Sequence, residues 1–135
     1  MKRVSKKPLP GQIRTDDTQS PLYRNTFHLQ QTDNFKDKNV ALLLAPGFEE
    51  AEAIVTLDIL SRLGVRVMTL ACHSTRDVTR YHNLKVLADD LLAHNRETLF
   101  DAVIIPGGPD GSKNLAANEA VLAFIRRHDQ EGRLI

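Results

Sequence analysis

Three carboxylates close together in the sequence, Glu49, Glu50 and Glu52, follow a Pro46-Gly47 turn, and a Gly107-Gly108 pair follows a second apolar run. These residue types point to proton transfer beside a carbonyl. A helix that begins at Glu49 places the acids at its positive end, and helix stabilisation is the plainest reading of Glu49 and Glu50. Glu52 lies further in, flanked by Ala51, Ala53 and Ile54, where a carboxylate is expected to be enclosed. An enclosed carboxylate can share a proton with a neighbour and act as general acid or base. Backbone N–H groups of a Gly-Gly turn can stabilise the oxyanion formed when a nucleophile attacks a carbonyl. The same dipeptide also suits a plain loop that needs positive φ.

The remaining chemical candidates are weaker. Cys72 is the sole cysteine, so neither an internal disulfide nor a cysteine-rich metal site is open to the chain. It ends an apolar strand, and His73 beside it projects to the opposite face, where it makes a poor base. Nothing around Cys72 resembles a strand-to-helix nucleophile elbow, and a buried structural thiol is expected. His28, His73, His82, His94 and His128 show no ligand spacing, so no metal is expected. Arg126-Arg127-His128 reads as a solvated basic patch at a helix C-terminus. The Gly107–Gly111 loop lacks the lysine and Ser/Thr of a phosphate-binding loop. Asp58 suits a surface or a subunit contact.

The elements that must position these groups alternate. Val40–Ala45 reads as a strand apolar on both faces. A helix from about Glu49 to Leu63 follows, with Ala53, Leu57 and Leu60 giving it a broad apolar side and Gly64 ending it. Strands are expected at Val65–Cys72, Leu84–Ala88 and Ala102–Ile105. His73–Asn83 is polar and unassigned, and Asp89–Asn95 reads as a connection or a short helix. Gly107–Gly111 reads as a wide loop. Asn118 caps a last helix to about Gln130, with Val121, Phe124, Ile125 and His128 in one stripe. Arg133–Ile135 begins a further strand. This alternation predicts an α/β sandwich around a mostly parallel sheet. Sites in such sheets form at strand carboxyl ends, and both candidate motifs follow one.

A chain of 135 residues allows one domain. A formal charge of +1 argues against a dedicated nucleic-acid binder. No apolar run approaches membrane-spanning length, and the single cysteine suits a reducing, cytoplasmic compartment. Residues 1–39 carry eight Lys/Arg against four Asp, while the remainder carries ten against thirteen acids. With Pro8, Pro10, Gly11 and Pro21 this segment reads as a disordered basic tail, or as sequence upstream of the true start. It has no apolar core of a secretory signal.

The stretch VALLLAPGFEEAEA (Val40–Ala53) resembles the opening of the ThiJ/PfpI family, in its deglycase branch, where a strand and small turn lead to E-E-x-E at the head of the first helix. DAVIIPGG (Asp101–Gly108) resembles that family's D-x-apolar-P-G-G strand and loop, in the right order and about fifty residues on. The resemblance covers Val40–Ile135. It implies a flavodoxin-like three-layer sandwich, akin to class I glutamine amidotransferases and incomplete at its C-terminus. It also implies cofactor-free, cysteine-dependent chemistry on methylglyoxal or early glycation adducts in stress protection. Glu52 would be the acid/base, and Gly107 and Gly108 would hold the oxyanion. The family's nucleophilic cysteine belongs to the elbow after the strand that starts at Arg133, so this chain is expected to be inactive alone. It is also expected to be poorly soluble or partner-dependent, with one sheet face uncovered. Pairing as a homodimer through the first helix is the family's habit. The alternative is a non-catalytic interaction or chaperone-like module that pairs with itself or a full-length relative. A peptidase or amidotransferase of the same superfamily would need the elbow and its histidine.

Overall fold

The computed structural model describes residues 35–80, 82 and 84–135. Of the expected tail, residues 1–34 lie outside the described residues; Lys38 already joins the sheet, its carbonyl accepting from the Arg66 N–H at 2.9 Å.

Strand β1 (Asn39–Leu44) leads into helix α1 (Glu50–Arg62) and strand β2 (Arg66–Ala71). A hairpin of β3 (Asp77–Thr79) and β4 (Lys85–Leu87) follows, then β5 (Asp90–Leu91) and a 3₁₀ turn at Leu92–His94. Strand β6 (Ala102–Ile104) precedes helices α2 (Pro109–Ala116) and α3 (Glu119–Gln130). The main sheet has the order β5-β2-β1-β6, with every pairing parallel. Leu134 adds an isolated parallel bridge to Ala102 at the β6 edge.

Strand β1 is central because its alternating side chains serve two cores. Ala41, Leu43 and Ala45 pack with Phe100, Leu115, Val121 and Phe124 on the face covered by α2 and α3. Leu42 and Leu44 pack with Phe48, Ala53, Val78 and Ala88 on the face covered by α1 and the hairpin. Burial on both faces is what a continuous apolar run in a parallel sheet requires. The architecture is the expected three-layer α/β sandwich.

Four local expectations need correction. The Leu84–Ala88 strand exists as β4, but it pairs antiparallel with β3 in a separate hairpin. The Gly107–Gly111 loop is short: Gly108 is the N-cap of α2 and Pro109 its first residue, where proline's fixed φ and missing N–H are tolerated. The apolar side of α1 is narrower than expected: Ala53 is buried and Leu57 packs against the core, but Ile59 on its margin stays 49% exposed, and Ile54 and Val55 add exposed apolar surface at 47% and 54%.

The fourth correction concerns His128, which is fully buried rather than solvated. Its Nε2 accepts from the Phe100 N–H at 3.0 Å, so Nδ1 carries the proton and donates to the Phe124 carbonyl at 2.8 Å. Both ring nitrogens are satisfied by backbone groups, and the ring lies against Phe124 at 4.2 Å between centroids. Its place in the Val121–Phe124 stripe, rather than its basic neighbours, decides its environment.

Asp101 ties the amino ends of β6 and β1 together. Its carboxylate accepts from the Asn39 N–H at 2.9 Å and lies near Lys38 and Arg133. The Asn39 N–H, offset in part by burial and aided by Lys38, holds the carboxyl below the usual range. A depressed folded-state value means that the stabilisation is present above the unfolded value near 4 and is lost as pH falls through the folded value. Asp101→Ala is expected to cost about 1.5–3 kcal/mol at neutral pH and less in acid, as urea unfolding at two pH values will show. His128→Leu is expected to cost about 1–3 kcal/mol in the same unfolding measurement, because the Phe100 N–H loses its buried acceptor.

Candidate active site

The two sequence motifs meet because β1 and β6 are parallel neighbours and both turns leave their carboxyl ends. Phe48, the residue between turn and helix, is fully buried and anchors the first turn. Glu49 is the N-cap of α1, and its Oε2 accepts from the Glu52 N–H at 2.8 Å. This is the helix-stabilising role that the acid-rich start suggests. The Glu49 N–H donates to the Gly107 carbonyl at 2.9 Å.

Glu52 turns back toward the same residue: the Gly107 N–H donates to Glu52 Oε2. The amide N–H and carbonyl of Gly107 are thus held by two residues of one helix start. A side chain at Gly107 would place its Cβ 2.7 Å from Glu52 Oε2, so the carboxylate would have to shift from its present place on the backbone. Gly108 is the more constrained of the two, because its neighbours are backbone atoms. Its φ is +105°, and a Cβ there would stand 2.5 Å from the Gly47 carbonyl oxygen and 2.8 Å from the Glu49 nitrogen. The expected trio of Glu52, Gly107 and Gly108 is therefore brought together.

The expected enclosure of Glu52 is not observed; the residue is exposed. Its neighbours Ala51, Ile54 and Val55 are exposed as well, and the small flanking residues cover nothing. The enclosed acid is Glu50, whose side chain is 18% exposed and bonds His82 Nδ1 at 2.7 Å and Arg80 Nη1 at 3.0 Å. The hydrogen bond with His82, opposed by some burial and assisted by the Arg80 charge, holds the Glu50 carboxyl below its ordinary value. Sequence reasoning missed this pairing because Arg80 and His82 lie in the polar segment to which no element could be assigned.

Cys72 lies elsewhere. It packs with Leu92, Leu115 and Val121 on the α2–α3 face, and Asn118 Nδ2 donates to its carbonyl at 2.9 Å. Burial pushes its thiol up to about 12, so at neutral pH almost none is thiolate and it is no nucleophile. Among the described residues no group of three His, Cys, Asp or Glu comes together that could hold a metal ion. No helix among them is long and apolar enough to cross a membrane.

What this arrangement can do is limited and specific. It offers one exposed carboxylate beside a glycine peptide whose amide can serve either that carboxylate or an incoming oxyanion. A proton donor or acceptor and an oxyanion donor are therefore adjacent.

Known proteins share this frame. The glutathione-independent glyoxalase DJR-1.2 of Caenorhabditis elegans is 36% identical over 99 residues, covering 73% of this chain and 52% of that protein. Protein dj-1beta of Drosophila melanogaster is 33% identical over 98 residues, covering 73% and 52%. Among solved structures, a cysteine-to-alanine mutant of a DJ-1 superfamily protein from Salmonella typhimurium superposes with a TM-score of 0.72 at 62% identity, covering 73% of this chain and 53% of that one. Drosophila DJ-1beta superposes with a TM-score of 0.71. The chain spans about half the length of these relatives. The model of the DJ-1/PfpI family matches residues 38–135, which takes in both strand-end turns and the whole of the described sheet: the chain belongs to the DJ-1/PfpI family.

Proposed function

We propose that this chain forms the front part of a cysteine-dependent site for small aldehydes, with methylglyoxal or early glycation adducts as substrates and carbonyl-stress protection in the cytoplasm as its role. The pairing of the Glu52 carboxylate with the Gly107 amide carries the reading. A thiolate adds to the aldehyde carbon, forming a C–S bond, and the carbonyl π pair moves to oxygen. Gly107 and Gly108 face that oxyanion. Glu52 takes the thiol proton and delivers it to the alkoxide, giving a hemithioacetal. With methylglyoxal, a proton shift between the two carbons and addition of water release lactate and the thiol, with no net oxidation and no cofactor. The similarity to a glyoxalase supports this substrate class.

The nucleophile must come from polypeptide outside these 135 residues, since Cys72 is the sole cysteine and is buried. The chain alone is then inactive. A second reading, a non-catalytic module that pairs with itself or a relative, is favoured by one observation: Ile54, Val55 and Ile59 leave an apolar stripe exposed on α1. In the catalytic reading the same stripe would serve as a homodimer contact, so turnover of methylglyoxal, not pairing, separates the two readings.

Fusing the C-terminal half of the Salmonella relative after Ile135 tests the catalytic reading. The fusion is expected to consume methylglyoxal and the chain alone is not. Glu52→Gln in the fusion should lower kcat by about 10²–10⁴-fold, and Cys72→Ala should leave it unchanged. A folded fusion that turns over equally fast with and without the Glu52→Gln substitution would defeat the assignment. For the contact, Val55→Asp with Ile59→Asp should convert a dimer to a monomer in sedimentation; a monomeric parent chain would remove the pairing proposal.

A further inference from the structure

Helix α2 contains a glycine, Gly111, in its first turn, where alanine would be the better helix former. Gly111 is buried, and a Cβ on it would lie 2.8 Å from Phe48 Cα, 2.9 Å from Phe48 N and 3.0 Å from the Gly47 carbonyl oxygen. All three are backbone atoms of the first turn, so no side chain can swing away. The Gly111 N–H is one of the helix-start donors without an intrahelical acceptor, and it donates to the Gly47 carbonyl at 3.1 Å. Asn114, one turn on, donates from Nδ2 to the Pro46 carbonyl at 2.8 Å. Helix α2 is therefore seated directly on the β1–α1 turn.

Four residues, 105–108, join β6 to α2; Gly108 is the N-cap of α2, its carbonyl accepts the Ser112 N–H at 2.9 Å, and Gly107 stands directly before it. Where α2 sits fixes where the Gly107 amide points. We infer that Gly111 is a positioning residue: its missing side chain lets α2 seat on Gly47–Phe48, and that seat aims the Gly107 amide at Glu52. The inference rests on the reading of Glu52 and Gly107 as the reacting pair. It assigns the aim of the oxyanion donor to a residue that touches neither substrate nor carboxylate.

Amide ¹H–¹⁵N spectra of the full 135-residue chain test it without catalysis. In the parent chain Glu52→Gln should move the Gly107 amide proton upfield, since a carboxylate acceptor is replaced by a neutral one. Gly111→Ala should move the same resonance toward its Glu52→Gln position while the Leu43 and Phe100 amides, in the core, stay in place. A Gly107 resonance that responds to Glu52→Gln but not to Gly111→Ala overturns the positioning role alone. A resonance unmoved by Glu52→Gln removes the pair itself, and with it the catalytic reading. Should Gly111→Ala not fold, Asn114→Ala loosens the same seat without adding bulk. It is expected to move the Gly107 amide in the same direction, by less, and an unmoved amide would again overturn the inference.

Discussion

The site depends on one steric constraint: two backbone turns, each leaving the carboxyl end of a buried parallel strand, must approach within van der Waals contact. Three glycines meet it. Gly47 and Gly108 adopt positive φ, and a Cβ on either would strike the opposing segment, Asp110 Cβ in the first case and the Gly47 carbonyl in the second. Gly111 is excluded from bearing a side chain by contact alone, since its position is helical. Once the turns meet, backbone groups otherwise left at two helix starts find partners across the gap: Glu49 N–H to Gly107, Gly111 N–H to Gly47, Gly107 N–H to Glu52. The close approach and the satisfied polar groups are thus the same structural fact.

The proposed chemistry turns on which group occupies the Gly107 amide. In this state the Glu52 carboxylate holds it. An oxyanion arriving nearby would compete for the same N–H, and a carboxylate that has taken up a proton would release it more readily. In the proposed reaction, the proton on Glu52 and the charge on the substrate oxygen would be linked through this one backbone donor. Glu50 is kept apart from this exchange by its bonds to His82 and Arg80, which instead fasten the β3–β4 hairpin to the head of α1.

Much of this was legible in the sequence, for identifiable reasons. The run from Val40 to Ala45 has the pattern of a strand buried on both sides, and it is one. Asn118 was readable as an N-cap because its side chain accepts from the Ala120 and Val121 N–H groups. The two motifs were expected to meet because both follow strand ends. The failures have equally specific causes. Helix α2 hid behind Gly107-Gly108-Pro109-Asp110-Gly111, where glycine and proline read as a loop; Pro109 as a first helical residue was the available signal. Glu52 was expected to be enclosed on the strength of its neighbours in sequence, but Ala51 and Ile54 are exposed. His128 was readable two ways, as part of the stripe with Val121 and Phe124 and as part of a solvated basic patch with the arginines beside it; its burial bears out the stripe. Strand β4 was readable, but its partner β3 is three residues long with one apolar side chain, Val78, opposite Val86, too short to leave a periodic trace.

The two turns are locked together by contacts within these residues. Hydrogen exchange at the Gly107 amide tests that most directly, because local opening of the turns would expose it to solvent. The expected result is slow exchange, with protection close to that of the Leu43 amide in β1. Exchange at the rate of an unstructured peptide, with Leu43 still protected, would contradict it: the sheet would be formed and the site would not.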